Sequence, residues 1–132
     1  MSIDWSKSKY FKEEEFKCSH SGKIMMMQGV VDALNNLREE WGKPMILSSA
    51  YRDPTHPVEA RKIAKGGNAG QHSKGTAVDI LCAGEDAYKL LNLIIEQKVW
   101  TGIGISQRSP WSTRFIHVDQ SKESNRPTIW SY

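Results

Sequence analysis

Two short stretches hold the residues best suited to bind a metal ion or move a proton. In GQHSKGTAVDI (70–80), His72 precedes Asp79 by seven residues, and Gly70 and Gly75 let the chain bend beside them. In FIHVD (115–119), His117 and Asp119 are two apart. Alternate residues of a strand share a face, so His117, Asp119 and Phe115 project together while Ile116 and Val118 point the other way. By the same alternation Asp79 shares a face with Ala77 and Leu81, opposite Val78 and Ile80. A carboxylate in so apolar a strand is costly unless it is paired or bound to a metal. Alone, His72 and Asp79 also fit a capped turn with a paired aspartate. Together with His117 they make two histidines and one carboxylate, the ligand set of many catalytic zinc sites, which keep a fourth position for water. Asp119 stands beside a ligand, where either a general base or a carboxylate that orients an imidazole is wanted.

These residues need elements to hold them. The segment 25–44, MMMQGVVDALNNLREEWGKP, carries the clearest helix signal. Val30, Leu34, Leu37 and Trp41 recur at spacings of four, three and four and form one face. Gly42 suits a left-handed cap and Pro44 forbids continuation. MILSSAY (45–51) reads as a buried strand ending at Arg52 and Asp53. PTHPVEARKIAK follows as a short helix whose regular part begins after Pro57. A glycine-rich turn at KGGN (65–68) leads towards the strand TAVDILC. Next comes a second long helix, GEDAYKLLNLIIEQ, with Ala87, Leu90, Leu91, Ile94 and Ile95 on its apolar side. TGIGIS and RFIHVDQ read as two further strands joined by the turn-prone QRSPWST. The order predicts an α+β domain over 1–132, a small and largely antiparallel sheet with helices packed against it.

Composition narrows the partners. At 132 residues, 39% hydrophobic and 25% charged, the chain is long enough for one core and is not a disordered segment. Its 18 basic and 15 acidic residues are scattered, with no basic run of five, so nucleic acid is not the expected partner. His20 in CSHSG and His56 between two prolines read as surface or satisfied residues. Cys18 and Cys82 follow no CxxC or multi-disulfide pattern and read as two separate thiols. The opening MSIDWSKSKYF has no apolar secretory core, and no stretch is long enough to span a bilayer, so synthesis in the cytoplasm without a signal peptide is expected.

QHSKGTAVD resembles the zinc-binding signature of the D-alanyl-D-alanine metallopeptidases, and FIHVD resembles the segment that supplies the third ligand in the carboxypeptidase-like branch of that family. LSSAYRDPTH is similar to the family's strand-end arginine segment, and YFKEEEFKCSHSGK to the start of these domains. The resemblance runs from about Phe11 to Trp130. It implies a hedgehog/DD-peptidase-like fold and Zn2+ held by His72, Asp79 and His117. It also implies a contact between Arg52 and a substrate carboxylate, with Gln71 and Tyr51 in the same segments as further substrate contacts. An Arg fork matches a carboxylate bidentately; the plainer alternative for Arg52 is a salt bridge to Asp53 or Glu59. Two positions depart from the family pattern. Gly70 stands where Ser is frequent, and Arg114 stands where the vancomycin-resistance dipeptidases place a general-base Glu.

The implied activity is zinc-dependent hydrolysis of peptide bonds in bacterial peptidoglycan, by a D,D- or L,D-type peptidase acting as a carboxypeptidase or as a stem or cross-link endopeptidase. Asp119 and Arg52 are the residues expected at the chemistry, and Trp111 and Trp130 are candidate walls for the peptide. A monomer that acts on the wall, released from a phage-infected cell or carried by a phage particle, suits this reading. The alternative is a zinc-containing module that binds wall or protein without catalysis, as in hedgehog signalling domains. A third reading, a metal-free structural domain, requires the convergence of His72, Asp79 and His117 to be coincidence.

Overall fold

The computed structural model describes residues 3–65 and 70–132. Three α-helices occur among them: α1 (Gln28–Trp41), α2 (Pro57–Ala64) and α3 (Gly84–Gln97). Five strands, β1 (Leu47–Ser49), β2 (Ala77–Leu81), β3 (Gly102–Ser106), β4 (Phe115–Asp119) and β5 (Thr128–Ser131), form one sheet in the order β1-β2-β4-β3-β5. Every neighbouring pair is antiparallel except β3 and β5, which run parallel. The molecule is thus the α+β fold read from the pattern of elements.

Local chemistry accounts for most boundaries. α1 ends where Gly42 takes the left-handed conformation (φ 70°) and donates its N–H to the Arg38 carbonyl at 3.1 Å. Its stripe of Val30, Leu34 and Leu37 is fully buried, and Val31 adds to it. α3 buries Ala87, Leu90 and Ile94, with Leu91 packed at the margin. Ile95, expected on the apolar side, is 51% exposed, because one residue past Ile94 the helix has already turned away from the sheet.

The sheet is two-faced. Val78, Ile80, Ile116 and Val118 join the residues of α1 and α3 in one hydrophobic cluster. Each such side chain is worth roughly 1.5–3 kcal/mol on burial. Asp79, His117 and Asp119 alternate with them and therefore point to the opposite face. The core on one face carries the cost of holding these polar groups dry on the other.

β1 is shorter than the strand read at 45–51. After Ser49 the backbone leaves the sheet: Tyr51 N–H bonds the Phe16 carbonyl at 3.2 Å, and Arg52 N–H bonds the His72 carbonyl at 3.2 Å. β5 had no expected counterpart, since four residues with an exposed pattern carry little periodic signal and its partner β3 is parallel. The turn expected at KGGN lies mostly outside the described residues; Lys65 caps α2. Cys18 is buried, Cys82 half-buried, and both are free thiols. No helix among the described residues is long and apolar enough to cross a membrane.

Gly75 is the one position where the path to the site demands glycine. It caps the short 3-10 turn Gln71–Lys74 with φ 73°, and a Cβ there would stand 2.6 Å from the Met25 carbonyl oxygen. Gly75→Ala should cost about 2 kcal/mol or more, from the left-handed strain plus the clash. The check is a drop in urea midpoint with unchanged slope; an unmoved midpoint would show that the turn relaxes freely.

Candidate metal centre

Strand register brings the candidate ligands together. Asp79 on β2 and His117 on β4 are directly opposite one another, and the same row continues through Gly104 on β3 to Trp130 on β5. His72 arrives from outside the sheet on the 3-10 turn, which is tied down on both sides. Arg52 N–H bonds the His72 carbonyl, and the Ser73 hydroxyl donates to the Arg52 carbonyl at 2.6 Å.

The hydrogen bonds behind each imidazole determine which nitrogen faces the centre. His72 Nδ1 lies 2.7 Å from the Ala50 carbonyl oxygen, which can only accept. Nδ1 therefore carries the hydrogen, and the Nε2 lone pair points at Asp79 Oδ1, 3.3 Å away. His117 is turned the other way round. Its Nε2 lies 2.8 Å from Asp119 Oδ2, a carboxylate acceptor, so its Nδ1 faces Asp79 Oδ1 at 3.0 Å. Two imidazole nitrogens and a carboxylate oxygen, all buried, thus converge within 4.8 Å of one another. Acceptors that meet without a donor repel, and only a cation or a proton between them relieves this. Ligand atoms around a tetrahedral ion bound at 2.0–2.1 Å lie roughly 3.3 Å apart, a spacing close to the one seen here. The residues fit a metal ion.

Protonation follows the same geometry. When a proton rather than a metal ion occupies the centre, burial would raise the Asp79 carboxyl, but hydrogen bonds to His117 and His72 and their charge outweigh it and hold the group far below the usual carboxylate range. Asp119 behaves alike: burial opposes its ionisation, and His117, Arg126 and the Ser121 N–H more than compensate. Burial disfavours a charged His117, yet its bonds to Asp119 and Asp79 push its pKa above the ordinary 6.5.

A cleft of about 610 Å³ opens over the centre, lined by Arg52, Gln71, His72, Asp79, His117, Glu123, Arg126 and Trp130 among others. Arg52 reaches this wall from the end of β1, its guanidinium supported by Ser49 Oγ (3.1 Å), Glu59 Oε2 (3.4 Å) and Asp79 Oδ2 (3.5 Å). It therefore both forms the salt bridge to Glu59 and faces the cleft; it does not pair with Asp53. Gln71 also lines the cleft, with its Oε1 accepting from the Thr76 hydroxyl.

Other candidates fall elsewhere. Tyr51, expected as a substrate contact, is 8% exposed and packed in the hydrophobic cluster rather than in the cleft lining, because the chain leaving β1 turns it inward. Asp119 is 0% exposed, and its two oxygens serve His117, Arg126 and the Ser121 N–H, so it presents no free oxygen to the cleft. Trp130 is at the site, whereas Trp111 lies over Gly84 and stacks on Arg114. The Arg114 Nε donates to the Ser109 carbonyl, outside the cleft lining. At Gly70, a Cβ would come within 2.9 Å of the Lys62 ammonium, which sits where a serine side chain would extend. His20 and His56 do meet, with ring centroids 6.0 Å apart, but His56 is engaged as the cap of α2.

Two residues of the site, Glu123 and Arg126, were not legible beforehand, and Glu59 was legible only as an alternative salt-bridge partner of Arg52. Glu59, fully buried on α2, accepts the Gly70 N–H at 2.6 Å and pairs with Arg52 and Lys62. Burial opposes its charge, yet the Gly70 N–H, Lys62 and Arg52 keep its pKa low. Glu123 and Arg126 lie in a segment of mixed polar residues with no periodicity. Beyond the pairing with Arg52, the sequence signal for Glu59 is its position in the first turn of α2, which reads equally as ordinary helix chemistry.

A small α+β domain that gathers two imidazoles and a carboxylate at the floor of a cleft is built as a metal-dependent enzyme. The chain matches the model of the Peptidase M15 family over residues 9–119 and belongs to that family. Membership implies a metallopeptidase with a peptide substrate. Neither a curated protein nor a solved structure matches the chain.

Protons and metal compete for one place. In metal-stripped protein the raised His117 pKa contributes stability that is present below about 6.5 and lost as pH rises through its higher folded value. The depressed Asp79 and Asp119 contribute stability present above the ordinary carboxylate value of 3.8 and lost as pH falls towards their folded values. Thermal stabilisation by added Zn2+ should therefore grow from pH 6 to pH 8 by scanning calorimetry, as the competing proton leaves. A zinc effect that does not vary over that interval would place the ion elsewhere.

Proposed function

We propose that this protein is a zinc-dependent peptidase that cuts peptide bonds in bacterial peptidoglycan. The carrying observation is the convergence of His72 Nε2, Asp79 Oδ1 and His117 Nδ1 on one point beneath an open cleft. A zinc ion bound there supplies an acidified water and polarises the scissile carbonyl.

The chain's own groups divide the remaining work. Arg52, held by Ser49 and Glu59, turns a fixed positive charge towards the cleft and binds a substrate carboxylate, which sets the register of the peptide. Gln71 offers an amide on the same wall, and Phe115 and Trp130 supply flat apolar surface. Asp119 orients His117, the role that its buried, saturated carboxylate supports. Proton transfer falls to Glu123, the carboxylate other than Asp79 that lines the cleft among the described residues. Its side chain is half-exposed, and hydrogen bonds from Lys74 and Gln71 hold its carboxyl below the usual range, so it stands ionised, able to accept a proton at Oε and return it to the leaving amine.

A second cavity adjoins the cleft. Gln71, Lys74 and Glu123 also border this cavity of about 530 Å³, formed by Met27, Gly29, Val30, Thr76 and Gln120. This adjoining space favours a peptide that extends beyond the metal, hence stem or cross-link endopeptidase action over removal of a terminal D-residue. A phage lysin or virion component is the setting we propose.

The test is metal content and digestion of purified wall, read as free D-alanine against cut stem peptides. Wild type should hold about one zinc per chain and release stem fragments. His117→Ala should lose both metal and activity. Glu123→Gln should keep its zinc while kcat falls about 10²-fold or more. Bound zinc with no hydrolysis of any fragment would instead identify a binding module, and D-alanine release alone would identify a carboxypeptidase.

A further inference from the structure

The family match ends at residue 119, yet the chain beyond it folds back onto the centre. Arg126 grips Asp119 with both arms, Nε to Oδ1 at 3.1 Å and Nη2 to Oδ2 at 2.8 Å. The same Oδ2 accepts from His117 Nε2. Trp130 on β5 lies beside both members of this chain, its ring 5.1 Å from the His117 ring and 5.1 Å from the Arg126 guanidinium. β3 leaves room for the assembly. A Cβ at Gly102 would overlap the Asp119 carboxylate and come within 2.6 Å of Arg126 Nε, and one at Gly104 would come within 2.6 Å of Trp130 Nε1. The alternating glycines of TGIGIS thus form a cradle that any side chain would fill.

We propose that the segment 120–132 is a working part of the metal centre, with Arg126 as the positioning residue that determines which nitrogen His117 presents to the metal. A neutral imidazole can offer either nitrogen, and a ring flip exchanges them. A bidentate fork fixes the Asp119 carboxylate in plane and position, so its Oδ2 always claims the Nε2 hydrogen and Nδ1 always faces Asp79. Trp130 blocks the space into which the ring would rotate. Lysine in place of Arg126 keeps the charge and loses the planar fork.

This inference rests on the metal reading above, and its test separates the two. Zn2+ affinity is measured on the full chain by competition with a chromogenic chelator, and the Co2+-substituted proteins are compared by visible absorption. Arg126→Ala should weaken Zn2+ binding about 10–100-fold and alter the cobalt spectrum, with Arg126→Lys recovering part of the loss. Asp119→Asn should cause a similar loss, and the double variant should bind no more than about twofold more weakly than Asp119→Asn alone, since Arg126 acts through Asp119. Should Arg126→Ala fail to fold by circular dichroism, Arg126→Lys carries the same comparison. Wild-type affinity in a folded Arg126 variant, or losses that multiply in the double variant, would overturn the positioning role while leaving the metal site intact. A wild type that takes up no Zn2+ would overturn both.

Discussion

Three acceptor atoms aimed at one point, with no donor among them, are the constraint around which this molecule is built. His72 Nε2 and His117 Nδ1 each face Asp79 Oδ1, and each is held in that attitude by an acceptor behind it. For His72 that acceptor is the Ala50 carbonyl; for His117 it is Asp119. Each rear acceptor takes the ring hydrogen and so forces the bare nitrogen inward. A fold that pays for this arrangement has to hold it from outside the site, which is the task of the apolar cluster on the far face of the sheet.

Charge is organised on the same principle of backing. The cleft and its supports carry Arg52, Lys62, Lys74 and Arg126 against Glu59, Asp79, Asp119 and Glu123, each cation paired with at least one of these carboxylates. With its basic and acidic groups in balance, the site becomes positive when a divalent ion enters. That is the condition under which the substrate carboxylate proposed above would be drawn in. Glu59 and Asp119 do parallel work from two sides, one fixing the arginine that lines the cleft, the other fixing the histidine of the candidate metal cluster.

The glycines explain how so much is fitted over a five-stranded sheet. On β3 they remove the side chains that would otherwise fill the layer above Asp119 and Trp130. Beside His72, Gly75 lets the backbone pass close to Met25 and return into β2. The site is dense because its scaffold is locally bare.

What the sequence by itself determined is what local periodicity can carry. Two-residue alternation placed Asp79, His117 and Asp119 opposite Val78, Ile80, Ile116 and Val118, and the helical spacing of Val30, Leu34 and Leu37 marked the buried stripe of α1. Residue types narrowed the ligands to His72, Asp79 and His117. The tertiary structure decided the rest, because it depends on contacts between segments distant in the chain. Nothing local shows that β5 lies parallel to β3, that Arg126 reaches Asp119, or that Tyr51 turns into the core, and the choice of Glu59 over Asp53 as the partner of Arg52 was made only by the fold. The choice of Nδ1 on one histidine and Nε2 on the other was likewise invisible, since it is made by the acceptor behind each ring, and only the folded chain brings that acceptor into place.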